Sequence, residues 1–240
     1  MKGKDNNSPQ QLYAEGVAAV AEYLRQAPQC VLKIQATRDA KLPRYFLHNV
    51  QSQWFQIEVV KAQPHGLTAP VWAEVRHKTW GEADLIDALQ NHPQKLVLAL
   101  DHITDPRNLG AVVRSAAFFG VTWVIVPTRR QALINQAVLA TSQGGLAVVK
   151  VAAVVNLRRT LERLKELQYW LLAADMGGED CATLKGFYER QVLVLGSEGK
   201  GLSDQVRKQA DRLVAIPGGA LGFDSLNVSV AGGVLMYLFS

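Results

Sequence analysis

The 240-residue chain has the composition of an ordinary globular protein, with 48% hydrophobic and 20% charged residues, and it is long enough for one large or two small domains. No apolar run reaches the roughly 18 residues of a membrane span, and the polar N-terminus lacks the apolar segment of a signal peptide, so we expect a soluble, cytoplasmic protein. The net charge of +5 weakly indicates a polyanionic partner.

The first part of the chain predicts a small α/β domain. Residues 13–26 have the apolar spacing of a helix, and short β-branched runs predict three strands. These strands are expected at residues 31–36, 55–60 and 71–75. We expect the domain to occupy residues 1–76 and to be followed by a polar linker at residues 77–94.

From Lys95 onward, apolar strands alternate with helical patterns. Strands are predicted at residues 96–100, 123–126, 148–151, 170–173, 192–195 and 213–216. Helices are predicted at residues 110–119, 132–141, 157–167 and 203–209, and from about residue 227. Near-continuous apolar strands separated by helices predict an α/β fold with a parallel sheet covered by helices on both faces.

The distribution of charge and the spacing of the two cysteines indicate which kinds of partner and site to expect. Residues 1–93 carry 10 Lys and Arg against 9 Asp and Glu, whereas residues 94–240 carry 16 against 12, so the positive excess lies in the second part. Cys30 and Cys181 stand far apart without a partner at metal-ligand spacing. The sequence therefore predicts neither a disulfide framework nor a metal site.

Three loops that follow predicted strands combine glycine with polar side chains. The first leads through Asn108 to Arg114, the second is Gly-Ser-Glu-Gly-Lys-Gly-Leu at residues 196–202, and the third spans residues 216–229. Because all three follow strands of one parallel sheet, we expect them to meet at one edge, where such sheets bind ligands. The second loop has neither the dinucleotide-binding spacing nor the ending of a P-loop.

The polar residues of these loops have structural as well as functional interpretations. Arg114, expected near the start of a helix, opposes the helix dipole and so indicates either function or a solvated face. Asn108 is a candidate substrate-positioning residue or a helix N-cap. Glu198 either orients a substrate group or caps the next helix, and Asn227 and Ser229 either bind a ligand or start a helix.

Taken in order, three segments resemble the three motifs of the SpoU (TrmH) family of RNA 2′-O-ribose methyltransferases. They are Asn108-Leu-Gly-Ala-Val-Val-Arg114, then Leu195-Gly-Ser-Glu198-Gly-Lys-Gly-Leu202, then Ile216-Pro217 with Ser225-Leu-Asn227-Val-Ser229. The resemblance covers residues 96–239. Residues 13–76 are similar to the small substrate-binding domain that some members carry in front.

The resemblance implies a C-terminal trefoil knot, which is otherwise nearly absent from proteins, and a pocket for S-adenosylmethionine. The implied cofactor-binding residues are Gly196, Ile216 and Leu226, with Gly201 in the second loop and Ala174 at a strand end. It also implies no metal, a homodimer through the knot region whose partner subunit helps to complete the site, and an RNA substrate. Ribosomal RNA is favoured over transfer RNA because a front domain takes the place of basic terminal extensions.

The implied reaction moves a methyl group to a ribose 2′-hydroxyl. The family assigns Arg114 to that hydroxyl as the base or its electrostatic aid. Because arginine is effectively always protonated, we expect it to bind and polarise the hydroxyl or the adjacent phosphate, with proton removal shared with its neighbours. The resemblance implies that Asn108, Glu198, Asn227 and Ser229 position Arg114 and the ribose.

The third loop departs from the family pattern, since it is about one residue longer and places Phe223 and Asp224 beside the site. An anionic Asp224 would repel phosphate or hydrogen-bond a base. Two alternatives stay open: a noncatalytic RNA-binding protein that retains the knotted fold, and a nucleotide-dependent oxidoreductase on a Rossmann sheet.

Overall fold

The computed structural model describes residues 12–64, 66–129, 131–218 and 225–240. The chain divides into two compact units, the first ending at Lys78 and the second beginning at Thr79. No helix within the described residues is both long enough and apolar enough to cross a membrane.

The first unit is a four-stranded sheet with two helices. Its elements are β1 (Leu12–Glu15), α1 (Gly16–Gln26), β2 (Val31–Thr37), α2 (Arg44–Ser52), β3 (Ile57–Val60) and β4 (Val71–Val75). The strand order is β1-β4-β2-β3. β2 and β3 are parallel, whereas β4 runs antiparallel to both of its neighbours.

Two elements of this unit differ from the sequence prediction. The expected helix at 13–26 begins only at Gly16, because residues 12–15 alternate buried and half-buried side chains and pair with β4. Gly16 has φ +84°, which ends the strand and lets the helix start. The helix α2 was missed because only Phe46 and Val50 are buried along its nine residues, which is too few to give a periodic pattern.

The second unit has a six-stranded sheet in the order β10-β8-β9-β5-β6-β7, and all its pairings are parallel. Its strands are β5 (Leu96–Asp101), β6 (Trp123–Pro127), β7 (Lys150–Val154), β8 (Trp170–Asp180), β9 (Gln191–Gly196) and β10 (Arg212–Ala215). Its helices are α3 (Glu82–Asn91), α4 (Pro106–Phe118), α5 (Gln136–Ser142), α6 (Leu157–Glu166), α7 (Asp204–Gln209) and α8 (Val228–Phe239). The predicted α/β fold with a parallel sheet is confirmed.

Helices cover both faces of this sheet, as alternate strand residues show. Val97, Ile125 and Val194 belong to a core that includes buried residues of α3, α6 and α7. On the other face α4 packs against α5 and α8, and Gly232 of α8 lies against Leu195 of β9. The predicted trefoil knot stays a prediction.

The structure differs from the expected linker at residues 77–94. Most of this segment forms α3, whose Leu85, Ile86 and Leu89 are buried in the core of the second unit. The helix starts where the Gly81 amide donates to the Asp84 carboxylate at 2.9 Å. The segment therefore adds a helix to the second unit, and the units divide at its beginning.

The contact between α4 and α5 depends on a glycine. A Cβ atom placed on Gly110 would lie 2.6 Å from the Thr141 Cβ and 2.9 Å from the Val138 carbonyl oxygen. Real Cβ atoms do not approach other atoms this closely, so the two helices can pack at this distance only because residue 110 has no side chain.

We therefore expect Gly110→Ala to lower the free energy of unfolding by about 1–3 kcal/mol, because the added methyl group forces the helices apart. The matched control is Gly233→Ala in α8, where the nearest atom to the added Cβ, the Ser115 Oγ, would be 3.8 Å away. That change should be neutral or stabilising by up to about 1 kcal/mol. Urea unfolding at one protein concentration measures both, and equal effects would contradict the packing argument.

Candidate active site at the carboxyl ends of the parallel strands

The three glycine-containing loops meet at one edge of the second sheet. β5 and β9 are neighbours, with Asp101 opposite Gly196 at their ends, so the first two loops leave the sheet side by side. The third loop follows β10 and leads to α8. Side-chain hydrogen bonds then join the three segments, as their positions after parallel strands predict.

A cluster of Asn108, Glu198 and Asn227 joins the loops directly. The Glu198 Oε1 accepts hydrogen bonds from the Asn108 Nδ2 at 3.1 Å and from the Asn227 Nδ2 at 2.5 Å. The Asn227 Nδ2 also donates to the Asn108 Oδ1 at 3.1 Å. We call these three residues the amide–carboxylate cluster. One carboxylate oxygen thus holds two amides that are 119 residues apart along the chain.

The orientation of Asn227 is set by the helix that it starts. Its Oδ1 accepts from the Ser229 backbone N–H at 2.9 Å and from the Ser229 Oγ at 2.6 Å, so Asn227 is the N-cap of α8. Because Oδ1 faces the helix, Nδ2 must face Glu198. The structural interpretation of Asn227 is therefore correct, and the same side chain also belongs to the cluster.

The first helical turn of α4 places Asn108 beside Glu198. Asp105 is the N-cap, since its Oδ1 accepts from the Arg107 backbone N–H at 2.8 Å, and Pro106 occupies the first helical position. Hydrogen bonds from the Arg107 side chain and then from its backbone lower the pKa of the Asp105 carboxyl, so it stays an acceptor. The N-cap interpretation of Asn108 is therefore wrong, and its amide is free to join the cluster.

The second loop is a tight turn that presents Glu198. The backbone groups of Ser197 and Gly201 exchange two hydrogen bonds, of 3.0 and 2.9 Å. Gly199 and Gly201 have φ +81° and +65°, a conformation that residues with a Cβ atom rarely adopt. Glu198 does not cap the next helix, because the N-cap of α7 is Ser203. The glycines therefore serve the turn.

Sequence reasoning missed Asp101, which ends β5 and contacts residues at the start of the first loop and just after the second loop. Its side chain is only 2% exposed. Its Oδ2 accepts from the Ser203 backbone N–H at 2.7 Å, and its Oδ1 lies 2.7 Å from the His102 Nδ1. A buried carboxylate needs such partners. The available signal was an acidic residue that ends an otherwise apolar strand.

Arg114 is exposed and lies apart from the amide–carboxylate cluster. Because α4 starts at Pro106, Arg114 is its ninth residue, so the expectation that it opposes the dipole in the first turn is wrong. It is six residues beyond Asn108, which is about 9 Å of rise along a helix. Among the described residues it has no hydrogen bond or ion pair. Its guanidinium is therefore available to a ligand or a partner.

The candidate cofactor-binding residues lie at the ends of three neighbouring strands. Gly196 ends β9, and Ile216 follows β10. Ala174 lies in β8 directly after Ala173, where the pairing of β8 with β10 is interrupted and resumes only at Glu179. A Cβ on Gly196 would lie 2.3 Å from the Gly201 backbone carbon, so the turn folds back closely over the strand end.

The remaining candidates belong to the third loop. Leu226 is exposed just before α8, whereas Phe223 and Asp224 lie outside the described residues. Among the side chains that the structure describes, no group of three or more His, Cys, Asp or Glu is placed to hold a metal ion.

A shallow apolar groove of about 520 Å³ lies between α4 and α8. Its lining is mostly apolar or small: Ser115, Phe119, Ser229, Val230, Gly233, Val234 and Tyr237. Phe118 next to it is also exposed. This open, mostly apolar face is a candidate interaction surface.

The fold and the cluster define an α/β protein with a polar site at the carboxyl ends of its parallel strands. The model of the SpoU rRNA Methylase family matches residues 95–237, and the chain belongs to this family. A protein of Mycobacterium avium (strain 104), described as an uncharacterized tRNA/rRNA methyltransferase, is 43% identical over 153 residues, which are 64% of this chain and 49% of that relative. The chain thus spans about half the length of the curated relatives it matches.

Solved structures resemble almost the whole chain. The SpoU methyltransferase AviRb from Streptomyces viridochromogenes, in complex with the cofactor AdoMet, has a TM-score of 0.73 and 20% identity over 95% of this chain and 88% of that one. A structure described as an RNA 2′-O ribose methyltransferase has a TM-score of 0.72 and 21% identity over 98% of this chain and 90% of that one. At these identities the likeness shows the fold.

A double-mutant cycle tests the amide–carboxylate cluster. Asn108→Ala and Asn227→Ala should be coupled by about 0.5–1.5 kcal/mol in the free energy of unfolding, because each removes a hydrogen bond that the other shares. Asn108→Ala combined with Asn156→Ala should be additive, since Asn156 caps α6 and does not touch the cluster. Additivity in the first pair would show that the cluster does not form in solution.

Proposed function

We propose that this member of the SpoU family transfers a methyl group from S-adenosylmethionine to a ribose 2′-hydroxyl of an RNA. The observation that carries the proposal is the amide–carboxylate cluster, which joins the three family motifs at the carboxyl ends of the strands. The exposed Arg114 on the helix that carries Asn108 supports it. AviRb, which has the same fold, binds AdoMet, and this also supports the cofactor.

The residues at the strand ends fit S-adenosylmethionine. Gly196 and Gly201 have no side chains and bring the turn close to the strand end, while the half-buried Ile216 and exposed Leu226 offer apolar surface to an adenine ring. Ala174 would border the same place at the end of the paired part of β8. The bound cofactor supplies an electrophilic methyl group.

The polar residues would act on the ribose. The ribose 2′-oxygen would be the methyl acceptor, its proton would pass to solvent, and S-adenosylhomocysteine would be the other product. Arg114, permanently charged, would bind and polarise the hydroxyl. The Glu198 Oε2 has no hydrogen-bond partner among the described residues, so it is free to accept a hydrogen bond from the ribose. Asn108 and Asn227 hold that carboxylate, and Ser229 holds Asn227. Such positioning contributes several kcal/mol to catalysis.

The proposed RNA is ribosomal rather than transfer RNA, with residues 1–76 as its substrate-binding domain. The relatives described as tRNA/rRNA methyltransferases agree with an RNA substrate. The separate compact first unit agrees with a dedicated substrate-binding domain.

We further propose that two copies of the chain pair through the groove between α4 and α8. The groove is apolar and open, and burial of such a surface against a second copy removes it from water. Arg114 precedes the groove residue Ser115 on α4, so a dimer through this face would bring Arg114 to the seam. The partner subunit would thereby help to complete the site.

Replacement of Arg114 tests the catalytic assignment. Arg114→Ala should lower the rate of methyl transfer to ribosomal RNA by about 10²–10³, because a charged donor to the reacting oxygen is lost. Calorimetry should show unchanged binding of S-adenosylhomocysteine. The control Arg107→Ala removes an exposed arginine of the same helix that pairs with Asp105 at 3.0 Å, and its rate should stay near that of the wild type.

A wild-type rate for Arg114→Ala would sink the assigned role of that residue. If the unchanged protein binds no S-adenosylhomocysteine and transfers no methyl group, the noncatalytic RNA-binding alternative replaces the proposed function.

The dimer is tested by placing a charge in the groove. Tyr237→Glu, at a side chain that is 66% exposed, should convert the protein to a monomer in sedimentation velocity, since a buried unpaired carboxylate costs several kcal/mol. Val155→Glu is the control, because Val155 is 81% exposed between β7 and α6 and lies outside the groove. A Tyr237→Glu protein that sediments like the Val155→Glu protein would contradict the assignment.

A further inference from the structure

One edge of the first unit's sheet collects positive charge from two neighbouring strands. β2 and β3 are parallel and their last residues are directly opposite each other, so Arg38 and Lys61, which follow them, leave the sheet at the same edge. The loop from β2 to α2 adds Lys41, and α2 begins with Arg44 at the end of that loop. We call these four residues the cationic edge.

The cations of this edge are free, whereas cations at the opposite edge are paired. All four are exposed, and none makes an ion pair within the described part of the chain. At the opposite edge Arg25 pairs with Glu22 at 2.6 Å, and Lys33, near the start of β2, pairs with Glu58. Residues 1–78 carry 10 Lys and Arg against 6 Asp and Glu, and the unpaired cations named here are concentrated at one edge.

Two carboxylates near the cationic edge are held by their own surroundings. The Glu15 Oε2, at the end of β1, accepts from the backbone N–H groups of Thr68 at 3.0 Å and Ala69 at 3.4 Å. Asp39 is hydrogen-bonded by the Thr37 hydroxyl, which lowers the pKa of its carboxyl. Neither forms an ion pair with the four cations, so four positive charges stand beside two negative ones and the edge keeps a net positive charge.

An exposed aromatic side chain stands beside these cations. Tyr45 is 57% exposed in the first turn of α2, directly after Arg44. Cations that contact phosphates and an aromatic ring on which a base stacks are the combination that binds single-stranded RNA.

We propose that the cationic edge, with Tyr45, is the surface on which the first unit binds the phosphates and an unpaired base of the RNA substrate. The proposal rests on the proposed function, because it assigns the docking of the same substrate. The other edge of the sheet does not contribute to binding.

Neutralisation of three residues tests the surface in the full-length protein. Arg38, Lys41 and Arg44 are changed to Gln together, and binding of a short single-stranded RNA of mixed sequence is followed by fluorescence anisotropy over a range of salt concentrations. Each lost phosphate contact lowers the salt slope by about 0.7. We expect the slope to fall by about 2 and the affinity at about 0.1 M salt to fall by on the order of 100-fold.

The matched control removes the same charge from the opposite edge. Arg25, Lys33 and Arg76 are exposed and belong to the end of α1, the start of β2 and the end of β4, where the Arg76 amide donates to the Cys30 carbonyl oxygen. Their joint change to Gln should leave the RNA affinity and the salt slope within about twofold of the wild type, because this edge makes no phosphate contacts in the proposed complex. The fold should also be retained, because surface ion pairs contribute little to stability. Equal losses in both triple variants would show a dependence on net charge alone and overturn the proposal.

The remaining outcomes separate this proposal from the proposed function. A cationic-edge variant that binds RNA like the wild type, in a protein whose wild type methylates RNA, overturns the docking surface and leaves the enzyme intact. A wild-type protein that binds anionic lipid vesicles but not RNA overturns both. S-adenosylhomocysteine binding should be unchanged in each variant, which shows that the second unit is folded.

The aromatic part of the proposal has its own matched pair. Tyr45→Ala should weaken RNA binding by about fivefold or more, the loss expected for one stacked base. Trp54→Ala should have no effect, although Trp54 is 95% exposed, because it precedes β3 and so lies at the opposite edge. If Trp54→Ala weakened binding and Tyr45→Ala did not, the base would stack at the opposite edge and this part of the proposal would be overturned.

Discussion

The candidate site depends on one carboxylate oxygen, the Glu198 Oε1, which accepts hydrogen bonds from the Asn108 and Asn227 amides. These donors lie 90 and 29 residues from Glu198 along the chain. They can reach it only when the strands before them stand together in the parallel sheet. The buried Asp101 carboxylate supports the arrangement, because it holds the end of the second loop through the Ser203 amide. The polar cluster is therefore a consequence of strand order, and it cannot form before the second unit folds.

The sequence could predict the parallel sheet and the meeting of the loops, since buried parallel strands are apolar without interruption and their carboxyl ends share an edge. It could not predict how far α4 extends, because Pro106 and Asp105 also suit a loop. That one boundary changed the interpretation of Arg114, which lies two turns inside the helix. Asp101 was missed because its function depends on burial and on a partner about one hundred residues away, neither of which is visible in local sequence.

The two units differ in how well their sequences indicate their structure. In the second unit most strands are buried apolar runs of five or more residues, and helices cover both faces of the sheet. In the first unit β1 is only four residues long and α2 buries only Phe46 and Val50, so periodicity carries little information there. The arrangement of charge in this unit is likewise invisible in composition, because it depends on which strands are parallel. The register of the parallel β2–β3 pair places Arg38 and Lys61 at the same edge, and a count of charged residues cannot show this.

We propose that the amide–carboxylate cluster at the strand ends serves ribose methylation. The most direct measurement incubates the protein with isotopically labelled S-adenosylmethionine and unmodified ribosomal RNA, digests the RNA to nucleosides and identifies the labelled product by mass spectrometry. We expect a 2′-O-methylated nucleoside, with the label on the ribose. A label on a base, or no label in RNA at all, would contradict it.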